Sequence, residues 1–291
     1  NYMPELPEVE VVKRSLIKKT QNLIVKAVKI NDGRLRYKID RRKIKKIIGL
    51  KFKKISRRSK YLLFFFNKDI VMLVHLGMTG KFFFINRKKI KYKTSFYYDL
   101  NQEKDKKHDR VIFDLSKNQK LIYNDIRKFG FIKLIKAYNI DQNIHLKHLG
   151  PEPLSAKFNF KYFKNYLVGK KRNIKDILMD QKFISGLGNI YVNEILFFSK
   201  VRPSKKILKL TDFEIHKIIK FSKKIISKAI KLGGSSIKDF SSSSGKKGSF
   251  QQHFSVYGKK GENCSNAKCT GKVKKIVIAN RASFFCNKCQ K

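Results

Sequence analysis

All four cysteines of this 291-residue chain fall in its last 28 residues, as Cys264, Cys269, Cys286 and Cys289. The spacing is C-x4-C, then 16 residues, then C-x2-C. Two close pairs separated by a hairpin's length can bring four sulfurs to one point, and four thiolates suit a tetrahedral Zn2+. Such a site is structural, because four protein ligands leave no open position for water. Two disulfides are the alternative. The chain opens without a secretory pattern, since Pro4, Pro7 and three glutamates follow at once, and that points to a reducing compartment. Between the pairs, Lys272–Ile278 and Ala282–Phe285 read as two strands joined by Ala279-Asn280-Arg281. Arg281 then sits at or near the turn, either meeting a phosphate or simply solvated.

The chain as a whole carries an excess of positive charge: 69 Lys+Arg less 21 Asp+Glu gives +48. Nucleic acid is the partner class this favours, because its phosphates neutralise Lys and Arg and release counterions. Compositional drift accounts for part of the excess, since the chain is rich in Lys, Ile, Asn and Phe and has no Trp. At 42% hydrophobic residues it is no disordered basic tail. The longest apolar runs, Tyr61–Phe66 and Ile70–Val74, are too short to span a membrane. A protein of the cytoplasm, without membrane association, is expected.

Along the chain, residues 4–20 read as a helix, with Pro7 near its start, Glu5, Glu8 and Glu10 at its positive end, and Val9, Val12 and Leu16 at helical spacing. From Leu23 to about Ile135 short β-type runs follow, among them Val25–Ile30, Tyr61–Phe66, Ile70–Leu76, Lys81–Ile85, Arg110–Leu115 and Lys120–Tyr123. They predict a sandwich or barrel. Gly150-Pro151-Glu152-Pro153 punctuates a linker. Residues 155–232 read as helices, with Ile174, Ile177 and Leu178 on one apolar face and Ile190, Glu194, Ile195 and Phe198 continuing after a Gly-rich turn. Residues 233–249 are rich in Gly, Ser and Lys and read as a loop.

The amino terminus is dense in chemistry. If translation starts at Met3 and the methionine is removed, Pro4 becomes N-terminal. An α-amine has pKa about 7.7–8.0 against about 10.4 for Lys, so far more of it is free base at pH 7. An N-terminal proline is then a nucleophile for a sugar C1′, and its secondary amine gives a permanently charged iminium, an electron sink for elimination. The plainer alternative is that Pro4 and Pro7 only start the first helix.

The sequence resembles bacterial formamidopyrimidine-DNA glycosylase, a bifunctional family that removes 8-oxoguanine and ring-opened purines. The resemblance runs from Pro4 to Lys291. It rests on PELPEVE at 4–10, SKYLL at 59–63, HLGMTG at 75–80, NDIRKFG at 124–130 and LGPEPL at 149–154. It continues through DQKFISGLGNIYVNE at 180–194, GGSSIKDF at 233–240, VYGKKGENC at 256–264 and the terminal cysteines. Their number, order and spacing make coincidence very improbable.

The resemblance implies an α+β multidomain fold: an N-terminal catalytic β-sandwich domain with flanking helices (1–135), a linker (136–153), a helix–two-turn–helix domain with a lesion loop (154–249; loop 233–249) and a zinc finger (250–291). It implies Pro4 as the Schiff-base nucleophile, Glu5 as the acid/base carboxylate that could protonate the sugar ring oxygen, Lys60 as a proton-transfer residue of β-elimination, and Arg281 as the phosphate-binding arginine linked to δ-elimination. Met78, Arg127 and Phe129 match the residues that fill the duplex after base flipping, with Arg127 on the orphaned cytosine. His108, Lys171 and Asn189 match DNA-backbone positions, with Asn189 expected to cap the second helix of the hairpin. Ser235 and Ser236 of the lesion loop could bond a base edge. The implied partners are duplex DNA carrying oxidised purines and one structural Zn2+ on Cys264, Cys269, Cys286 and Cys289, in a monomer associated with the bacterial nucleoid.

Three features depart from the family pattern. Asn1 and Tyr2 precede Met3, and the expectation is that the true start is Met3 or that the extension is removed. The first cysteine pair is C-x4-C where the family usually has C-x2-C. Ser249 stands in the lesion loop where an aromatic is common. The alternatives are an endonuclease VIII-type enzyme for oxidised pyrimidines, against which PELPEV and DIRKFG argue, a catalytically silent zinc-containing DNA-binding protein if Asn1-Tyr2-Met3 is retained, and a general polyanion binder.

Overall fold

The computed structural model describes residues 3–88, 91–93, 106–235 and 250–291. Ser236 and Ser249 lie outside the described residues. The chain divides into two compact units, one of residues 1–147 with 232–249, the other of residues 148–231 with 250–291.

The first unit is an antiparallel β-sandwich. The first helix, α1 (Leu6–Thr20), begins later than residue 4, because Glu5 has extended backbone (φ −94°, ψ −176°) and serves as its N-cap. Strand β1 (Val25–Ile30) follows, then a short helix α2 (Arg41–Ile44) capped by the Asp40 carboxylate. Strands β2 (Phe52–Arg58), β3 (Tyr61–Phe66), β4 (Ile70–His75), β5 (Lys81–Ile85), β6 (Lys91–Lys93), β7 (Asp109–Leu115), β8 (Gln119–Asn124) and β9 (Phe131–Lys136) complete the unit. They pair as two sheets in the orders β1-β7-β8-β5-β6 and β2-β3-β4-β9.

The alternation of side chains explains the burial. Leu62, Phe64 and Phe66 of β3, with Met72 and Val74 of β4, join Phe82, Phe84, Val111, Phe113, Leu121 and Tyr123 of the other sheet in one core. Val9, Val12 and Leu16 of α1 belong to the same core. Leu63, Val71 and Leu73 point to the opposite face and are buried too. A strand covered on both faces reads as a continuous apolar run rather than an alternating one. Each such side chain contributes roughly 1.5–3 kcal/mol on burial.

The second unit has helices α3 (Phe160–Leu167), α4 (Ile174–Met179), α5 (Asn189–Ser199) and α6 (Asp212–Lys231), and the hairpin β10 (Val273–Ile278) with β11 (Arg281–Cys286). In α6, Ile215, Ile218, Ile225, Ile226, Ala229 and Ile230 form one buried stripe. Phe198 departs from the sequence expectation: it is 40% exposed, and its neighbour Phe197 faces the core. No helix of the described residues is long and apolar enough to cross a membrane.

Candidate active site and metal centre

The N-terminal motif is fixed by hydrogen bonds around Glu8. The Glu5 N–H donates to Glu8 Oε2 at 2.9 Å, and the Ser235 N–H and hydroxyl donate to Glu8 Oε1 at 2.8 and 2.9 Å. Pro4, Glu5 and Glu8 are buried, whereas Met3 is 37% exposed. Gly234, at φ +80°, brings the chain against Glu8, where an added Cβ would lie 3.0 Å from Oε1. Ser235 therefore sits beside the start of α1, although 227 residues separate it from Glu8.

Lys60 lies in the two-residue turn joining β2 to β3, where Arg58 pairs with Tyr61 and Ser59 takes φ +55°. Glu10 of α1 anchors that turn through Arg57, whose Nε donates to Glu10 Oε2 at 2.8 Å and whose Nη1 donates to the Ser59 carbonyl at 3.0 Å. Burial pushes the Glu10 carboxyl up, but hydrogen bonds from Lys13, Arg57 and Arg14 outweigh it and hold the carboxyl below its usual value.

His75, at the end of β4, was not singled out by sequence. It is 9% exposed, and its Nδ1 accepts the Gly77 N–H at 3.0 Å, so the ring proton of the neutral form sits on Nε2. Burial, then the charges of Lys60 and Arg36, push its pKa down to about 3. An unfolded histidine titrates near 6.5, so between pH 6.5 and 3 the unfolded chain binds the proton and the native chain does not. Stability is expected to fall as pH drops through that window, by at most about 1.4 kcal/mol per pH unit from this group. Glu10 adds in the same direction as pH falls further. His75→Asn keeps an acceptor for Gly77 and removes the titration. Urea melts between pH 7 and 4.5 should therefore give a flatter profile for the variant, and an unchanged slope would refute the assignment.

Met78, Arg127 and Phe129 stand at two neighbouring loop tips. Phe129 is 45% exposed and its ring carries the Arg127 guanidinium at 4.6 Å, so this aromatic is not a core residue. Met78 is half-buried between Gly77 and Gly80. His108 lies behind the second tip, with its carbonyl accepting the Asp125 N–H at 3.1 Å and its Nδ1 3.1 Å from Arg110 Nη2.

In the second unit, one polar face of α5 grips the cysteine module. The Phe284 N–H donates to Asn193 Oδ1 at 2.7 Å, and the N–H groups of Ser255, Val256 and Tyr257 donate to the Glu194 carboxylate at 2.8, 3.0 and 2.9 Å. Burial raises the Glu194 pKa while those three amides oppose the shift. The N-cap of α5 is Gly188, not Asn189. Asn189 is the first helical residue, and its amide reaches across to the Ala282 carbonyl at 3.0 Å instead of folding back as a cap. Lys175 of α4, itself buried, donates to the same carbonyl at 2.9 Å and to Ser283 Oγ at 2.6 Å.

Arg281 is the first residue of β11, pairing with Ile278, and the turn is only Ala279-Asn280. Both take positive φ, +47° and +58°, the conformation whose twist matches a two-residue hairpin. The exposed Arg281 lines a cleft of about 380 Å³ with Arg172, Lys175, Asp176, Asp180 and Gln181. Lys171 is exposed in the segment before α4.

The four cysteine sulfurs lie within 4.8 Å of one another and are not bonded as disulfides. Cys264 and Cys289 Sγ are 3.7 Å apart, as are Cys269 and Cys286. A tetrahedron with metal–sulfur bonds of about 2.3 Å has edges of about 3.8 Å. The Gly271 N–H points at Cys269 Sγ and the Cys289 N–H at Cys286 Sγ, both at 3.3 Å, as donors to thiolates would. The longer C-x4-C arm is taken up by a turn in which Cys269 N–H donates to the Asn266 carbonyl at 2.9 Å. The cluster can hold a metal ion.

An antiparallel sandwich, a helical hairpin with a glycine turn and a four-cysteine knuckle make up the architecture of the helix–two-turn–helix DNA glycosylases. The family model described as formamidopyrimidine-DNA glycosylase N-terminal domain matches residues 3–132, and that of the H2TH domain matches residues 149–241. The formamidopyrimidine-DNA glycosylase of Rickettsia felis is 39% identical over 288 residues, covering 99% of this chain and 98% of its own. That of Roseobacter denitrificans is 34% identical over 289 residues, covering 99% of this chain and all of its own. Wild-type Lactococcus lactis Fpg, solved with an N7-benzyl-Fapy-dG containing DNA, superposes with a TM-score of 0.83 at 36% identity, over 99% of this chain and 100% of that one. The same enzyme with an abasic site containing DNA gives 0.83 at 35%, over 99% of each. The chain belongs to the formamidopyrimidine-DNA glycosylase family.

Proposed function

We propose that the protein is a base-excision repair enzyme, a bifunctional glycosylase and abasic-site lyase that removes oxidised and ring-opened purines from duplex DNA. The observation that carries this reading is the whole-length match to a glycosylase solved on Fapy-dG DNA. Pro4, once its nitrogen is free, attacks C1′, the damaged base leaves with the glycosidic bond's electron pair and the nitrogen loses its proton. Glu5 next to it protonates the ring oxygen, so the C1′–O4′ bond opens and the nitrogen lone pair closes the iminium. Lys60 assists the β-elimination, and Arg281 binds phosphate for the δ step. Met78, Arg127 and Phe129 replace the flipped nucleotide, with the guanidinium on the orphaned cytosine. His108, Lys171 and Asn189 contact the DNA backbone, and Ser235, whose N–H and hydroxyl both donate to Glu8, ties the start of the lesion loop to α1. The cysteine cluster binds one Zn2+, which supplies structure and no chemistry.

Borohydride trapping on a duplex with 8-oxoguanine opposite cytosine tests the reading. A cross-link mapped to Pro4 is the expected result, and lesion binding without a cross-link would leave only a DNA-binding protein. Salt gives a second test. Lys60, Lys171 and Arg281 alone imply a log Kd–log salt slope of about 2.7, so fourfold more salt should weaken binding at least ~40-fold. Arg281→Ala should lower the slope by about 0.9. Affinity indifferent to salt would rule out the phosphate contacts.

A further inference from the structure

The two loop tips carrying Met78 and Arg127–Phe129 are built as one piece, and Asp125 is the joint. Asp125 is completely buried. Its Oδ1 accepts the Thr79 hydroxyl and, at 3.1 Å, the Lys128 N–H. Its Oδ2 accepts the Gly130 N–H at 2.9 Å and the Tyr123 hydroxyl at 3.3 Å. Thr79 Oγ1 in turn accepts the Arg127 N–H at 2.9 Å. One hydroxyl thus links the first tip to the buried carboxylate and to the backbone of the second tip. The backbones also interlock: a Cβ on Gly77 would collide with Phe129 and Gly130, and one on Gly130 with the Tyr123 hydroxyl and the His75 carbonyl. From behind, Arg110 Nε donates to the Asp125 carbonyl at 2.8 Å, and Asp32 pairs with Lys128 Nζ at 2.7 Å and Arg110 Nη1 at 3.3 Å.

Among the described residues, the four donors to the Asp125 carboxylate come from these loops and the strand before them, so it is occupied in shaping the tips rather than facing the sugar. Side chains entering a base stack oppose the cost of unstacking, and tips already fixed in position add no ordering cost to it. We propose that Asp125, acting through Thr79, is a positioning residue that fuses the two tips into a single wedge, so that opening of the duplex depends on it and the sugar chemistry does not. The proposal rests on Met78, Arg127 and Phe129 being the wedge.

The test uses the full chain on two substrates: an 8-oxoguanine duplex with 2-aminopurine beside the lesion, and a single strand carrying an abasic site, which needs no wedge. Thr79→Val is nearly isosteric and removes the linking hydroxyl, Thr79→Ser restores it, and Asp125→Asn replaces one acceptor with a donor. Thr79→Val and Asp125→Asn should slow the fluorescence change of base unstacking and the excision from duplex by tenfold or more. Cleavage of the single strand should stay within twofold, and Thr79→Ser should behave as the parent. Phe129→Ala serves as the reference. If Phe129→Ala slows opening and Thr79→Val does not, the coupling is wrong while the wedge stands. If Phe129→Ala also opens the duplex at the parental rate, wedge and coupling both fail. Equal losses on both substrates would likewise overturn the proposal. Should Asp125→Asn fail to fold, the Thr79 pair decides alone.

Discussion

Pro4→Gly is expected to lower excision of 8-oxoguanine by on the order of 10²-fold or more, about 3 kcal/mol in the barrier. Binding to a duplex with an uncleavable abasic analogue should stay within about threefold, under ~0.7 kcal/mol. The two readouts separate because, in the proposed function, proline contributes an amine at one atom while Lys60, Lys171 and Arg281 share the phosphate contacts. A glycine in that place still offers an α-amine, but a primary one. Its imine must hold a proton to act as an electron sink, while the iminium of a secondary amine is charged without one. Glycine also loosens a position that is buried at the mouth of a capped helix, with Glu5 and Glu8 hydrogen-bonded beside it. Single-turnover excision and fluorescence-anisotropy titration check the two halves. Excision at the parental rate would remove Pro4 from the chemistry, and a comparable loss of binding would show that the substitution had damaged the fold.

Much of this architecture was legible in order along the chain, and much less of it across the chain. Local periodicity located Val25–Ile30, Tyr61–Phe66 and Lys81–Ile85 as strands because side-chain alternation and β-branched or aromatic content are properties of adjacent residues. The cysteine spacing likewise announced a four-sulfur cluster, since each pair closes within a few residues. What periodicity could not show is which distant partner a polar side chain takes. Asn189 looked like a helix cap because its neighbours are Gly-rich, yet its amide bonds a carbonyl 93 residues away. Lys175, which no motif or periodicity marks, is a buried strut to the same carbonyl, 107 residues on. Asp125 lay in a recognised motif, but its tie to Thr79 spans 46 residues and depends on the pairing of β5 with β8. The hairpin turn was read one residue too long because Ala279 lacks the Gly or Asn that usually marks a left-handed backbone.

Those long-range struts set the size of the second expected effect. Cys286→Ser should reduce bound zinc from about one equivalent per chain to a small fraction of that, because a serine hydroxyl replaces a buried thiolate in a four-sulfur set. The apolar core of the module is small, Phe197, Val256, Val273 and Phe284 with Cys264 and Cys286 themselves, and its other ties include the hydrogen bonds to α4 and α5. In so small a core metal affinity is folding free energy, so the β10–β11 hairpin should lose its fixed position when the metal goes. Arg281 starts β11, and Ala282 beside it supplies the carbonyl held by Lys175 and Asn189. Lesion-duplex affinity should therefore fall tenfold or more, about 1.4 kcal/mol. Pro4, Glu5 and Lys60 belong to the other unit, so cleavage of a single-stranded abasic site should survive largely intact. Elemental analysis, duplex titration and the single-strand assay on one preparation check all three. Unchanged zinc and affinity would refute the metal's role, and loss of single-strand cleavage would mean that the sandwich itself depends on the cysteine module.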